Sequence, residues 1–69
     1  MPYYLINKKP DERNLNEIHQ TTCIWKPDVS NQVSLGYHSS NKQALEYAKS
    51  QGWNRADGCF YCCPDIHHG

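Results

Sequence analysis

The sequence lacks an excess of either charge and lacks any long apolar run. Seven Lys and Arg residues balance seven Asp and Glu residues, for a formal net charge of zero. This balance excludes a broad electrostatic footprint for nucleic acid or anionic lipid, so binding to such partners would have to be local. No stretch approaches the ~20 apolar residues of a membrane span, and we therefore expect no membrane partner.

The N-terminal segment has only a brief apolar run, with no basic region before it, which is not the pattern of a signal peptide. We therefore expect a cytoplasmic protein, in a reducing compartment where paired cysteines are more often metal ligands than disulfides. Export by another route would leave four cysteines with three ways of pairing. Disulfide geometry argues against a bond between the adjacent Cys62 and Cys63.

The chain is also short, and it shows no repeat, linker or low-complexity segment. Its 69 residues predict a single small domain over residues 1–69. Burial contributes roughly 25 cal/mol per Å² whereas ordering costs roughly 1.5 kcal/mol per residue, so a chain of this size nets close to zero. A disulfide, a metal ion or a partner subunit is needed to stabilise it, and four cysteines with four histidines favour the first two.

Local patterns predict a small α+β fold. Residues 3–6 and 15–19 indicate two strands joined as a hairpin, and residues 33–38 alternate cleanly, with Val33, Leu35 and Tyr37 on one face. Residues 42–51 are good helix formers behind a capping box that Ser40 opens. We therefore expect a two- or three-stranded antiparallel sheet, one packed helix and a C-terminal zinc knuckle.

The spacing of His19 and Cys23 sets a geometric condition on a shared metal. On a continuous strand the two residues would lie about 13 Å apart, too far to bind one ion. On a helical turn their Cβ atoms would lie roughly 5 to 6 Å apart. The chain must therefore turn at residues 20–22 if both are ligands. The alternative is that His19 is a surface strand residue and that only Cys23 binds metal.

Cys59-x-x-Cys62 is the commonest first half of a zinc site, because two intervening residues let a tight turn aim both thiolates at one ion. The same motif suits a redox dithiol, but no alternating strand and helix framework places the first cysteine at a helix N-terminus. Pro64 favours an extended Cys63, pointing away from its neighbour, so Cys63 is spare, secondary or a substitute ligand. We predict a structural zinc site with ligands Cys23, Cys59 and Cys62, and with His19 or His67 as the fourth.

Several of these residues occur together in known proteins. The pattern His19-x-x-x-Cys23, a strand, a helix with two alanines, Cys59-x-x-Cys62-Cys63 and a late His67 resembles a group of short bacterial proteins of unknown function. From residue 18 to residue 64 the order is also distantly similar to the zinc-binding domain of Ada-type DNA-methylphosphotriester repair proteins. Those proteins use four cysteines, one of which accepts a methyl group. Here Cys62 and Cys63 would both have to ligate the ion for that chemistry.

Three functions are compatible with these patterns. The first is a non-catalytic, zinc-stabilised binding module with a protein partner, since no general base beside an open pocket is evident and the chain is short for an enzyme. The second is a thiolate that accepts an alkyl group or senses redox state, at Cys62 or Cys63. The third, ranked lower because charge is balanced, is nucleic-acid binding, through a group of basic and aromatic side chains: Lys8, Lys9, Lys26, Arg55, and Trp25 or Trp53.

Overall fold

The computed structural model describes residues 2–69, which form one four-stranded mixed sheet and one α-helix. The strands are β1 (Tyr3–Asn7), β2 (Asn16–Gln20), β3 (Gln32–Tyr37) and β4 (Ala56–Gly58), and the helix α1 spans Asn41–Ser50. Short 3₁₀ turns occupy Val29–Asn31 and Pro64–Ile66. The spatial order of the strands is β3-β1-β2-β4.

Strands β1 and β2 form the antiparallel hairpin that the sequence predicts. Leu5 lies opposite His19, and Ile6 lies opposite Ile18. Ile6 and Ile18 are fully buried, so this cross-strand pair is central to the core. The loop between the strands holds Asn14 at a positive φ of 63°, a conformation that asparagine tolerates better than most residues.

Strand β3 pairs antiparallel with the other side of β1, but its regular alternation is interrupted. Tyr4 pairs with Gly36 and Leu5 with Ser34, which leaves Leu35 as an extra residue at a register shift. Gly36 has a φ of +79°, a value that glycine adopts without steric cost. Leu35 is buried while Tyr37 is half exposed, so the expected single apolar face of this strand is wrong at its C-terminal end.

Helix α1 begins and ends where capping chemistry places it. The Ser40 hydroxyl accepts a hydrogen bond from the Gln43 backbone N–H at 3.1 Å, as expected of an N-cap. Gly52 has a φ of +97° and stops the helix in the left-handed conformation. Ala44 and Ala48 are fully buried, and their small side chains let the helix lie close to β3, β4 and the Pro64–Ile66 turn.

Strand β4 corrects the predicted sheet, which was expected to have two or three antiparallel strands. Ala56–Gly58 lies parallel to β2, with Ile18 opposite Gly58. Hydrogen bonds extend this pairing at both ends, from Asn16 N–H to Arg55 O and from Cys59 N–H to Ile18 O, each 2.9 Å. The α+β class is confirmed, but the sheet has a fourth, parallel edge strand, which leads directly into Cys59.

The core is built largely from small and medium side chains between the sheet, the helix and the C-terminal turn. Its buried members are Tyr4, Ile6, Ile18, Leu35, Ala44, Ala48, Cys63 and Ile66. Within residues 2–69 no helix has the length and apolar character to cross a membrane. Many of the largest apolar side chains lie outside this core.

Candidate metal centre

Four of the predicted ligands come together at one end of β2. The ligand atoms of His19, Cys23, Cys59 and Cys62 all lie within 4.8 Å of one another. His19, Cys23 and Cys59 are buried, with exposed fractions of 1%, 8% and 3%, and Cys62 is half-buried. A nitrogen and three sulfur atoms gathered in this way are compatible with a metal site.

His19 and Cys23 meet because the chain turns where the spacing requires it. His19 is the penultimate residue of β2, and the Cys23 backbone N–H donates to Gln20 O at 2.9 Å. The turn brings Cys23 back beside His19, as the geometric condition demands. The alternative of a surface His19 is wrong, since the side chain is almost wholly buried.

Cys59 and Cys62 are placed by strand β4 and by the turn that follows it. The hydrogen bond from Cys59 N–H to Ile18 O fixes the first cysteine beside β2. The Cys63 N–H donates to Cys59 O at 2.9 Å, which closes the chain around residues 60–62. Both thiols of the C-x-x-C motif therefore face the same point as the pair from β2.

The His19 ring is oriented with one nitrogen left free for a ligand. Nε2 lies 3.4 Å from a carboxylate oxygen of Glu17, whereas Nδ1 is buried without any hydrogen-bond partner in residues 2–69. An unsatisfied buried nitrogen costs about 1–3 kcal/mol, a cost that coordination would remove. Burial also lowers the pKa of His19, which favours the neutral imidazole that binds metals.

Glu17 is a component of the site that sequence reasoning missed. A carboxylate on the second nitrogen of a ligating histidine fixes the tautomer and the ring orientation. The available signal was the two-residue spacing, because positions i and i+2 of a strand lie on the same face. The Glu17 side chain is about one-third exposed, so this carboxylate contacts both the buried His19 ring and solvent.

The sulfur atoms lie at separations suited to one ion. Cys23 Sγ and Cys59 Sγ are 4.0 Å apart, and a tetrahedral ion with Zn–S bonds of about 2.3 Å places its sulfur ligands about 3.8 Å apart. The Gln20 backbone N–H donates to Cys62 Sγ at 3.3 Å. Burial raises the pKa of the Cys62 thiol, so a thiolate at this position would need a nearby positive charge, which a bound metal ion would provide.

Cys63 lies beside the cluster but is not one of its four members. Its Sγ is 3.6 Å from Cys62 Sγ, and its side chain is fully buried among apolar neighbours. Burial raises the pKa of the Cys63 thiol to about 11. These features are typical of a cysteine that packs as a small apolar residue.

His67 lies outside the group of four. Its Nδ1 is 2.9 Å from Gly58 O, and because a carbonyl only accepts, this nitrogen carries the proton. The same nitrogen is 3.3 Å from Asp57 Oδ2. The Asp57 carboxylate also accepts from two backbone N–H groups, that of Gly69 at Oδ2 and that of His68 at Oδ1. His67 therefore helps to hold the C-terminal tail against β4, and the structure brings His19 rather than His67 to the three thiols.

Comparisons of the chain with models of protein families, with characterised proteins and with solved structures find no match. The chemistry of the cluster and the surfaces around it therefore carry the functional argument.

Proposed function

We propose that this protein is a non-catalytic binding module whose fold is held together by one structural zinc ion at His19, Cys23, Cys59 and Cys62. The observation that carries the proposal is the buried meeting of four donor atoms within 4.8 Å of one another, together with the unpaired His19 Nδ1. Three thiolates and one imidazole are a common ligand set for structural zinc. Four protein ligands would leave no open position for a substrate.

The location of the cluster supports a structural role. It joins the end of β2 to the loop after β4, which are 36 residues apart at Cys23 and Cys59. A metal bound there would link the hairpin to the C-terminal segment, since the ion's binding energy becomes folding energy. For a chain of 69 residues, such a link adds to the stability of a core that is small for its length.

The surroundings supply partial compensation for charge. Three thiolates around a divalent ion leave one net negative charge. The Gln20 N–H bond to Cys62 Sγ places a backbone dipole against one sulfur, as expected of a site whose charge needs compensation.

A catalytic role finds less support. An open pocket in residues 2–69 is lined by Leu15, Lys49, Asn54, Arg55, Ala56, Asp57, His68 and Gly69, and it contains no member of the cluster. An alkyl acceptor or a redox sensor must expose a thiol to its reagent. Cys63 is fully buried, which leaves Cys62 as the most accessible thiol. Rapid, selective methylation of Cys62 by methyl iodide, measured by mass spectrometry, would favour an alkyl-accepting protein over a non-catalytic binding module.

The decisive experiment is native mass spectrometry of protein purified without chelator. We expect one zinc ion per chain, with all four cysteines reduced. A metal-free chain lighter by two or four hydrogens would show a disulfide-stabilised domain instead and would overturn the proposal. Comparison of zinc, iron and cobalt occupancy in the same spectrum identifies the metal.

A further inference from the structure

A continuous row of aromatic rings covers the outer side of the two loops that carry the cysteines. The Trp25 and Tyr61 rings stack with centroids 5.1 Å apart, although they belong to loops distant in sequence. Phe60 meets the edges of both Tyr61 and His67, each at 5.5 Å between centroids. We name Trp25, Tyr61, Phe60 and His67 the aromatic row.

Most of the aromatic row is exposed and is not part of the core. The side chains of Trp25, Phe60 and Tyr61 are 55%, 62% and 66% exposed, and the neighbouring Ile24 is 86% exposed. Aromatic side chains offer roughly 150–250 Å² each, so these exposed fractions leave roughly 300–450 Å² of ring surface in water. Contiguous apolar patches of this size on small proteins are often functional.

The row is held in place before any partner arrives. Trp25 follows Cys23 by two residues, and Phe60 and Tyr61 lie between Cys59 and Cys62. Backbone hydrogen bonds from Lys26 N–H to Cys23 O and from Cys63 N–H to Cys59 O brace the two loops. Since little ordering would be needed on binding, the cost of association falls.

Area and charge argue against two classes of partner. A stable interface between globular proteins buries about 800 Å² on each partner, about twice what the row offers, so a second copy of this chain is a poor fit. Phosphate contacts dominate nucleic-acid affinity, but the net charge of the chain is zero, so no excess of basic side chains is available for a phosphate backbone. A short, uncharged ligand remains.

We propose that the aromatic row binds short extended segments of partner proteins that contain proline, in the polyproline II conformation. Such segments dock on exposed aromatic rings at low entropic cost, because the ligand is already ordered. Trp and Tyr each carry a ring donor for ligand carbonyls, which have no internal partner. This proposal rests on the proposed role as a binding module.

The test is a titration of zinc-loaded, isotope-labelled protein with a polyproline peptide of about ten residues, followed by two-dimensional NMR. A Gly-Ser peptide of equal length is the control ligand. We expect saturable shifts at Ile24, Trp25, Phe60 and Tyr61 with the polyproline peptide alone. No shift at millimolar peptide, or shifts centred elsewhere, would overturn the proposal.

Two matched variants separate binding by the row from general apolar contact. Tyr61→Ala removes a ring of the row and should weaken peptide binding about tenfold or more. Tyr47→Ala removes a tyrosine on helix α1 that is 41% exposed and lies outside the row, and it should leave the affinity unchanged. Equal effects of the two substitutions would contradict the proposal.

The remaining outcomes name other occupants or isolate the metal. NMR shifts of the aromatic row on simple dilution of the free protein would show self-association. Tighter, salt-dependent binding of an oligothymidine would show a nucleic-acid surface. Either result would overturn the proposal of a peptide ligand. Native mass spectrometry of the same sample reports the metal separately. A metal-free but folded sample would refute the zinc site while the titration still reports on the row.

Discussion

Cys59→Ser removes one donor from the buried cluster, and we expect the variant to be unfolded under conditions in which the unmodified chain is folded. Typical stabilities of about 0.05–0.15 kcal/mol per residue give roughly 3–10 kcal/mol for a chain of 69 residues. Structural zinc sites contribute about 10–16 kcal/mol of apparent binding energy. Because the metal term is as large as the whole stability, losing much of it leaves no folded state.

The assay is the two-dimensional NMR spectrum, with metal content measured on the same sample. Cys63→Ala is the matched control, because Cys63 adjoins Cys62 and is fully buried but lies outside the group of four. We expect the control to keep its metal and its dispersed spectrum, with a loss of about 1 kcal/mol for the small cavity. A native-like spectrum for Cys59→Ser, or loss of metal from Cys63→Ala, would refute the assignment of ligands.

Three further predictions address the surroundings of the site. Glu17→Gln should weaken zinc affinity about 10- to 100-fold without unfolding the domain, because the carboxylate orients His19; competition with a chelator measures it. Gly58→Ala should destabilise the fold by about 1–3 kcal/mol in urea, since its Cβ would lie 2.4 Å from Ile66 Cγ1, and an unchanged midpoint would contradict the tight packing. Burial raises the pKa of Tyr4 above its ordinary value of 10.0. The neutral phenol therefore stabilises the fold fully below the ordinary pKa, and this stability is lost as the pH rises through the raised pKa. Tyr4→Phe should flatten this alkaline loss, and an equal slope in both proteins would argue against it.

The parts of the fold that the sequence predicts are those in which local chemistry and tertiary structure agree. The β1–β2 hairpin follows from aromatic and branched residues on either side of a polar loop. Helix α1 follows from the Ser40 cap and the Gly52 stop, both of which act within one turn of the backbone. The turn between His19 and Cys23 follows from their spacing once both are taken as ligands, because an extended chain cannot bring both to one ion.

The parts that sequence reasoning misses depend on distant contacts. Ala56–Gly58 has no branched or aromatic residue that marks a strand, and it becomes one because β2 offers a free edge beside it. The choice of His19 over His67 is likewise decided by tertiary structure. His67 instead contacts Gly58 O and Asp57, which holds its ring outside the group of thiols. The positions of the two histidines in the sequence do not reveal these contacts.

The distribution of side-chain sizes connects the metal site to the exposed rings. The core uses two alanines and a cysteine, Ala44, Ala48 and Cys63, while Trp25, Phe60 and Tyr61 stay more than half exposed. A chain of this length that relied on apolar burial alone would need those rings inside, since each would contribute several kcal/mol there. If a metal ion holds the cysteine loops together, as we propose, these rings are not needed in the core and are available to contact a partner. If these rings were instead needed for stability, Tyr61→Ala would lower the free energy of unfolding by as much as it lowers the free energy of peptide binding.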